Sequence, residues 1–455
     1  MTDLSPQPLS SRIRFWRLIW TGLSAIVGAG ALIGLGIAAG VAGPYLLVAL
    51  GLGAATAFCH GLSWIQLVVY HQTIRHQANY DTLDRAPLDA HFYGYSDGLL
   101  NPWLGFTAAW GLALSQAAIA AATALGLAGY ALSTLQASSP IGFLLLALGS
   151  IALLTGLELK GWQYSRWLQL GLTLVTLGVL GVFIGSGALY LAQSEMQAFQ
   201  FSFDPLANSD QSTQPPLFAS LEAAGLIAVA YAGYGQIIRT NEVPQTARRT
   251  LISLILLLVL AFLLYGGVAL VAIGTVGGAA LGDAAEAFAA PLNAATRQFA
   301  SPKIMLLVAV GATLILFNIL HHLLSELAQI LWSMSCRRDL PKVLARLHPI
   351  TVTPTRAILT AGIAVAGLSL LGDLYAIWTF GAFAFLSYMA IMHLAVLRLS
   401  PAARLYPQGV AWLGLTASGL LILGLESKIW LTGLGLMVTG LIWRGINLWV
   451  AEHAD

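Results

Sequence analysis

Residues 22–44 read GLSAIVGAGALIGLGIAAGVAGP. Gly22, Gly28, Gly30, Gly34, Gly36, Gly40 and Gly43 crowd into this one apolar run. It is long and apolar enough to cross a bilayer as a helix, which takes about 20 residues. Small residues four apart, as at Gly30/Gly34 and Gly36/Gly40, let neighbouring helices approach closely. For a lone glycine-rich span, packing is the simpler explanation. The alternative is that Gly28-Ala29-Gly30 marks an unwound stretch near mid-membrane, and that reading needs a partner elsewhere in the chain.

Residues 221–244 supply one, reading LEAAGLIAVAYAGYGQIIRTNEVP. Here Gly233 and Gly235 surround Tyr234, and the break is expected at Ala230-Tyr231-Ala232-Gly233, about 200 residues after the first. Interrupted helices at matching positions in two halves are the best sequence pointer to a transporter site.

The composition around these stretches fits a polytopic membrane protein. Of 455 residues, 58% are hydrophobic and 9% charged. Soluble domains carry about 25% charged residues, so a soluble particle of this size would lack a polar coat. The formal charge of +2 argues against nucleic acid as a partner. Cys59 and Cys336 are too few for a disulfide framework or a metal cluster, so no cofactor and no metal is expected. The first 15 residues are polar and lack a signal-peptide pattern.

Apolar runs fall near 18–40, 43–69, 102–132, 140–158, 163–193, 217–238, 250–276, 302–335, 355–371, 374–398, 408–425 and 428–450, which predicts twelve transmembrane helices in an all-α membrane protein. With both termini in the cytoplasm, Arg297, Lys303 and Lys428 are the only members of the 21 Lys and Arg left outside. This is the bias of the positive-inside rule, and it points to a bacterial inner or plasma membrane. Five spans begin at the first break and five at the second. Because five is odd, the second set enters from the opposite side, as in an inverted repeat. The expected organisation is a cytoplasmic tail (1–17), a first five-helix repeat (18–193), an external loop (194–216), a second, inverted repeat (217–398) and accessory helices with a cytoplasmic C-terminus (399–455). Segment 277–301 reads as a short helix lying on the outer surface, and 70–101 as a polar cytoplasmic stretch.

An interrupted helix leaves backbone groups unpaired, which lipid does not tolerate unless protein or ligand satisfies them. The half-helix after the first break offers N–H groups and a positive dipole end, suited to a carboxylate. The half-helix before the second break offers carbonyls, suited to an ammonium. A zwitterion satisfies both.

The residues around the two breaks resemble those of the amino acid–polyamine–organocation permeases. The first span is similar to their G-x-G-x-x-x-G-x-G-I entry and runs on through Ala42-Gly43-Pro44. Val229-Ala230-Tyr231-Ala232-Gly233-Tyr234-Gly235 resembles their F-A-Y-x-G-F-D element, followed by Glu242 and Pro244. Ser333 to Pro341, with His348-Pro349 and Thr353-Pro354, resembles the segment after their eighth helix. Lys160-Gly161-Trp162 and the stretch 371–385 also fit. The resemblance implies a five-plus-five inverted repeat with discontinuous first and sixth helices, two accessory helices, and alternating access for amino acid substrates. By position it implies that Gly28, Ala29 and Gly30 donate to the carboxylate. Carbonyls of Val229, Ala230 and Ala232 would receive the ammonium, and Tyr231 or Tyr234 would gate the substrate. Where proton-coupled relatives often carry a lysine in the fifth helix, this chain has Thr173. Their aspartate after the sixth-helix aromatic is Gly235, and their Ser-Arg in the eighth helix is Ala328-Gln329.

The expected lining is Ser24, Ala25, Ile26, Gln116, Tyr231, Tyr234 and Asn318, without a counter-charge unless Glu222 or Glu326 reaches in. A small or medium neutral amino acid is therefore expected. Ionisable groups inside spans are functional candidates, so Glu222, His322 and Glu326 are candidates for coupling to protons; His60 and His393 read as isolated structural histidines. A polyamine, organic-cation or cationic amino acid exchanger of the same fold is the alternative. A membrane-embedded enzyme would need a motif such as a nucleophile elbow or a Walker loop, and neither is present.

Overall fold

The computed structural model describes residues 11–77, 99–134, 139–162, 166–193, 216–235, 247–288, 290–349 and 351–453. Expectations for the tail before residue 11, most of 70–101, the loop 194–215, and Glu242 and Pro244 fall outside these residues. The described chain is helical throughout. Its α-helices are α1 Ser11–Ile26, α2 Leu35–Ala42, α3 Leu46–Gln77, α4 Pro102–Thr134 and α5 Pro140–Leu159. They continue with α6 Arg166–Gln193, α7 Pro216–Ala228, α8 Ala247–Val276, α9 Gly278–Phe288 and α10 Pro291–Phe299. The last are α11 Pro302–Cys336, α12 Thr355–Ser369, α13 Leu374–Leu397, α14 Gln408–Gly424 and α15 Ser427–His453.

Among the described residues, nine helical stretches are long and apolar enough to cross a membrane. The twelve expected runs reduce to these nine stretches for two reasons. The first two expected spans merge into one stretch, Gly30–His71, which bends at Gly43 (φ 50°) and a 3-10 turn, Gly43–Tyr45. The other two, α12 and α14, have 15 and 17 residues. At 1.5 Å per residue these reach about 23–26 Å, short of the ~30 Å hydrocarbon core.

The sequence starts and stops these helices with ordinary devices. Ser139 caps α5, its hydroxyl accepting from the Gly142 amide at 3.1 Å, with Pro140 in the first turn. Asp373 caps α13 by accepting from the Ala376 amide at 2.9 Å, just after Gly372 turns the chain with φ 71°. A side-chain oxygen at this position satisfies an amide that the helix itself cannot.

α4 is the central helix. Its run from Ala117 to Tyr130 is buried on every side, which explains why it is built from Ala and Gly rather than showing a polar face. It packs mainly on α11 and α13. α15 and α5 lie at the periphery and keep large apolar side chains exposed, among them Ile141, Leu145, Leu434 and Ile446, as a lipid-facing surface requires.

Segment 277–301 differs from the surface helix expected. It forms two helices, α9 and α10, whose Leu281, Ala285, Leu292 and Ala295 are buried. α9 packs on α2, and a Cβ on Gly40 would meet the Gly282 Cα at 2.7 Å. The glycine pair lets the two backbones touch and closes this end of the bundle. At the opposite end, Asp339 pairs with Arg444 at 2.9 Å, and the guanidinium also donates to the Pro102 carbonyl. It lies 5.0 Å from the Trp103 ring and 5.2 Å from that of Phe106. This knot ties α15 to the start of α4 and the end of α11.

Candidate functional site

The first expected interruption is present, the second site is a change from α- to 3-10 geometry, and the two segments face each other. α1 ends at Ile26, Val27 and Gly28 leave the helix, and a π-helical turn, Gly30–Gly34, leads into α2. α7 ends at Ala228 and continues as a 3-10 turn, Val229–Tyr234. A Cβ on Gly30 would collide with Ala230, and one on Gly233 would collide with the Ala25–Ile26 peptide. Only glycine permits this approach of backbone to backbone.

The carbonyls released at the two breaks find one partner in common. The Tyr265 hydroxyl, from α8, lies 2.7 Å from the Ile26 oxygen and 3.0 Å from the Ala230 oxygen. A single side chain therefore spans both interruptions and meets part of their need for hydrogen bonds in a buried setting. On the far side of the first break, the Tyr130 hydroxyl donates to the Leu32 carbonyl at 2.9 Å and accepts from the Leu292 amide at 3.2 Å. The π-turn is thereby anchored to α10. The Trp378 indole donates to the Leu226 carbonyl at 3.0 Å.

Beside the breaks lies a cavity of about 180 Å³. On the same measure one water needs roughly 10–15 Å³, so a small organic solute fits. α1 and the first break contribute Ser24, Ala25, Ile26, Ala29 and Gly30. The second break contributes Val229, Ala230, Ala232 and Gly233. Gln116 enters from α4, and His322 and Glu326 from α11. Ala25 is exposed and Ser24 and Gln169 are half-buried, so solvent reaches the cavity from the α1 side. Trp378 packs over Gly34 toward the end that α9 closes.

Several expected residues lie elsewhere. Gly28 packs against Ile319 of α11. Asn318 is on α11 but outside the cavity wall, one turn before His322. Tyr231 and Tyr234 are fully buried and turn away from the cavity. The Tyr231 hydroxyl reaches the Leu50 carbonyl at 3.4 Å, and its ring lies 5.4 Å from that of Tyr265. The Tyr234 hydroxyl bonds His60 of α3. In a turn with three residues per revolution, these two tyrosines, three apart, share a face, and that face belongs to α3. Glu222 is also buried away from the cavity, receiving a hydrogen bond from Tyr375 at the end closed by α9.

The aromatic walls come instead from Trp64 of α3 and from Trp378, Phe385 and Tyr388 of α13. No residue spacing singled these out, because large aromatic residues on apolar helices read as core. Ser115 and Gln169 were missed for the converse reason, as single polar residues without a pattern.

One further difference bears on the solute. Glu326 does reach the cavity, and its Oε2 accepts from Gln116 Nε2 at 3.0 Å. The wall is therefore not free of carboxylate. Behind it, the adjacent His321 faces Glu158 of α5 at 3.1 Å and Trp162 at 6.0 Å between rings. Among the described residues, no group of three or more His, Cys, Asp or Glu could hold a metal ion.

Known proteins agree with this architecture. The amino acid permease family matches residues 13–425. An uncharacterized transporter of Mycobacterium tuberculosis is 29% identical over 399 residues, covering 87% of this chain and 81% of that protein. The methylthioribose transporter of Bacillus subtilis is 23% identical over 384 residues, 79% of this chain and 75% of that protein. Among solved structures, a mutant of the Eremococcus coleocola manganese transporter shares the fold. Its TM-score is 0.56 at 15% identity, with 95% of each chain covered. A match spanning both breaks, the cavity and the helices around them makes this multi-pass chain a membrane transporter rather than an enzyme: it belongs to the amino acid permease family of the amino acid–polyamine–organocation superfamily.

Proposed function

We propose that the protein carries an α-amino acid across the plasma membrane by alternating access. The observation that carries this reading is the meeting of two interrupted helices at one cavity, with glycine backbone on one side and a carbonyl-bearing turn on the other. The amides heading the segment after Gly28 have no partner within the helix and suit a carboxylate. The dipole at the end of α7 and the carbonyls of Val229 and Ala232 suit an ammonium. Each of two carbonyls keeps one lone pair for this role, since the Tyr265 hydroxyl already donates to Ala230 and the Gly235 amide to Ala232.

Twelve crossings in two inverted sets of five plus two accessory helices accommodate the chain, if Gly30–His71 counts as two crossings and the short α12 and α14 each count as one. The distribution of Lys and Arg then supports an orientation with both termini in the cytoplasm and the end closed by α9 outside. The cavity, entered from the α1 side, faces inward in this conformation.

The solute side chain projects toward Gln116, His322 and Glu326. A neutral amino acid able to hydrogen-bond with this trio is the first reading. The carboxylate of Glu326 in the wall favours a second, in which a cationic amino acid or diamine places its amine there. Glu326 and His322 also stand where a coupling proton would compete directly with the solute, while Glu222 lies at the outer seal. Uptake of a labelled amino acid panel into proteoliposomes, with and without a pH gradient, tests the assignment. We expect uptake of neutral amino acids; uptake of lysine, arginine or diamines alone would establish the second reading, and no uptake of any amine would overturn both.

A further inference from the structure

Read singly, His60 and His393 are lone histidines on different helices, 333 positions apart in sequence. The fold brings them together. Their ring centroids are 5.7 Å apart and nearly perpendicular, and both side chains are fully buried. His60 Nδ1 shares a hydrogen bond with the hydroxyl of Tyr234, the last residue of the irregular turn beside the cavity. His393 Nδ1 lies 2.9 Å from Ser63 Oγ. The Nε2 atoms of both rings are buried without a hydrogen-bond partner among the described residues. Two such atoms in one cluster are unusual, because buried polar groups are nearly always satisfied.

Among the described residues, the neighbours of the pair are aromatic rings without a fixed charge. Trp64 of α3 lies 5.8 Å from the His60 ring, Tyr388 of α13 at 5.5 Å and Phe385 at 6.2 Å. Gly414 of α14 lies against the His393 ring, and α8 meets the neighbouring Gly61 with Leu254. The titratable groups facing the pair from these elements are thus Tyr234 and Tyr388. Trp64, Phe385 and Tyr388 also line the cavity, so the pair sits one side-chain layer behind its wall. A charge in this cluster would be shielded from bulk solvent, with no charged side chain beside it among the described residues.

We propose that His60 and His393 form the binding site of a coupling proton, separate from the solute cavity and controlled by the turn that carries Tyr234. Any movement that draws Val229–Tyr234 away from α3 breaks the His60–Tyr234 bond and admits water, and a ring nitrogen then takes a proton. Return to the conformation described here expels water and releases the proton. Two positive charges this close repel strongly, so the pair takes about one proton rather than two. The proposal rests on alternating access but not on the identity of the solute.

Two measurements test it. The first needs no substrate: proton uptake by the purified full-length protein between pH 8 and pH 5, read with a pH-indicator dye. We expect the double variant His60→Gln/His393→Gln to take up about one proton fewer per chain than the wild type. Equal uptake overturns the site. The second uses proteoliposomes, radiolabelled L-alanine and a one-unit pH gradient, acid outside. We expect wild type to approach the tenfold accumulation that one proton per solute supports. His393→Gln, which keeps a hydrogen-bonding group opposite Ser63 but cannot become charged, should exchange alanine normally without accumulating it. Tyr234→Phe should fold and retain exchange while its accumulation falls. Wild-type accumulation in both His393→Gln and His60→Gln overturns the coupling role. If the wild type does not carry alanine, the amino acid reading is in question, and the dye measurement alone decides the proton site.

Discussion

The two breaks do similar work with opposite means. The first, from Val27 to Gly34, has no polar side chain, and a π-turn of Gly, Ala, Leu and Ile carries it. The second, Val229–Tyr234, has two tyrosines, and both are anchored into α3 rather than aimed at the cavity. The first break thus presents backbone to a solute and lets its neighbours hold it, through Tyr130 and Tyr265. The second holds itself and presents backbone on its remaining face. An irregular segment in a membrane must be fixed by something, and the anchors are local in one case and borrowed in the other.

This asymmetry can be broken most severely where the two segments touch. Gly233→Val would drive a branched side chain into the Ala25–Ile26 peptide, and backbone cannot step aside as a rotamer can. Overpacking typically costs about 1–3 kcal/mol and more where nothing yields. We expect uptake to become undetectable and thermal stability to fall. Gly30→Leu should likewise abolish binding, and near-normal transport in it would contradict the carboxylate role of the first break.

Next in size is Tyr265→Phe, which removes the hydroxyl shared by both breaks. Leaving buried carbonyls short of a donor costs about 1–3 kcal/mol. Transport should fall about 5- to 150-fold by the same arithmetic, with the protein still inserted. An unchanged rate would mean that water takes over the role of the hydroxyl.

Glu326→Gln sharpens the contrast on the solute side. It keeps a partner for Gln116 and removes the charge. Uptake competition between lysine and a neutral amino acid should shift about tenfold against lysine, the scale of a hydrogen bond to a charged group. An unchanged ratio would remove Glu326 from side-chain recognition.

The smallest effect is expected at Tyr231→Phe. The hydroxyl bond to Leu50 is long, at 3.4 Å, near the limit at which a hydrogen bond counts, while the buried ring is retained. Uptake should stay within about twofold, since stability changes by roughly 0.5 kcal/mol or less. A collapse in transport would restore Tyr231 as a gate.

Much of the fold was legible in the sequence because lipid imposes a strong rule: apolar runs become helices, and glycine clusters mark where helices approach or break. The positions of both breaks could be read from this rule, and half of the cavity wall from the breaks together with the resemblance to the permeases. The orientation of Tyr231 and Tyr234 could not, because it depends on whether the turn winds with three or with 3.6 residues per revolution. The aromatic wall of α13 was hidden for a related reason. On a helix surrounded by protein, every face is apolar, and no periodicity separates cavity from core.

By itself, the sequence determined that the chain crosses a membrane many times and where two of its helices leave regular α-geometry, since both follow from local composition and spacing. Only the tertiary structure decided what stands opposite each break. Tyr265 joining Ile26 to Ala230, Glu326 entering the cavity and His60 meeting His393 all link positions from 35 to 333 residues apart. Contacts of this kind depend on how helices pack, which no local pattern records.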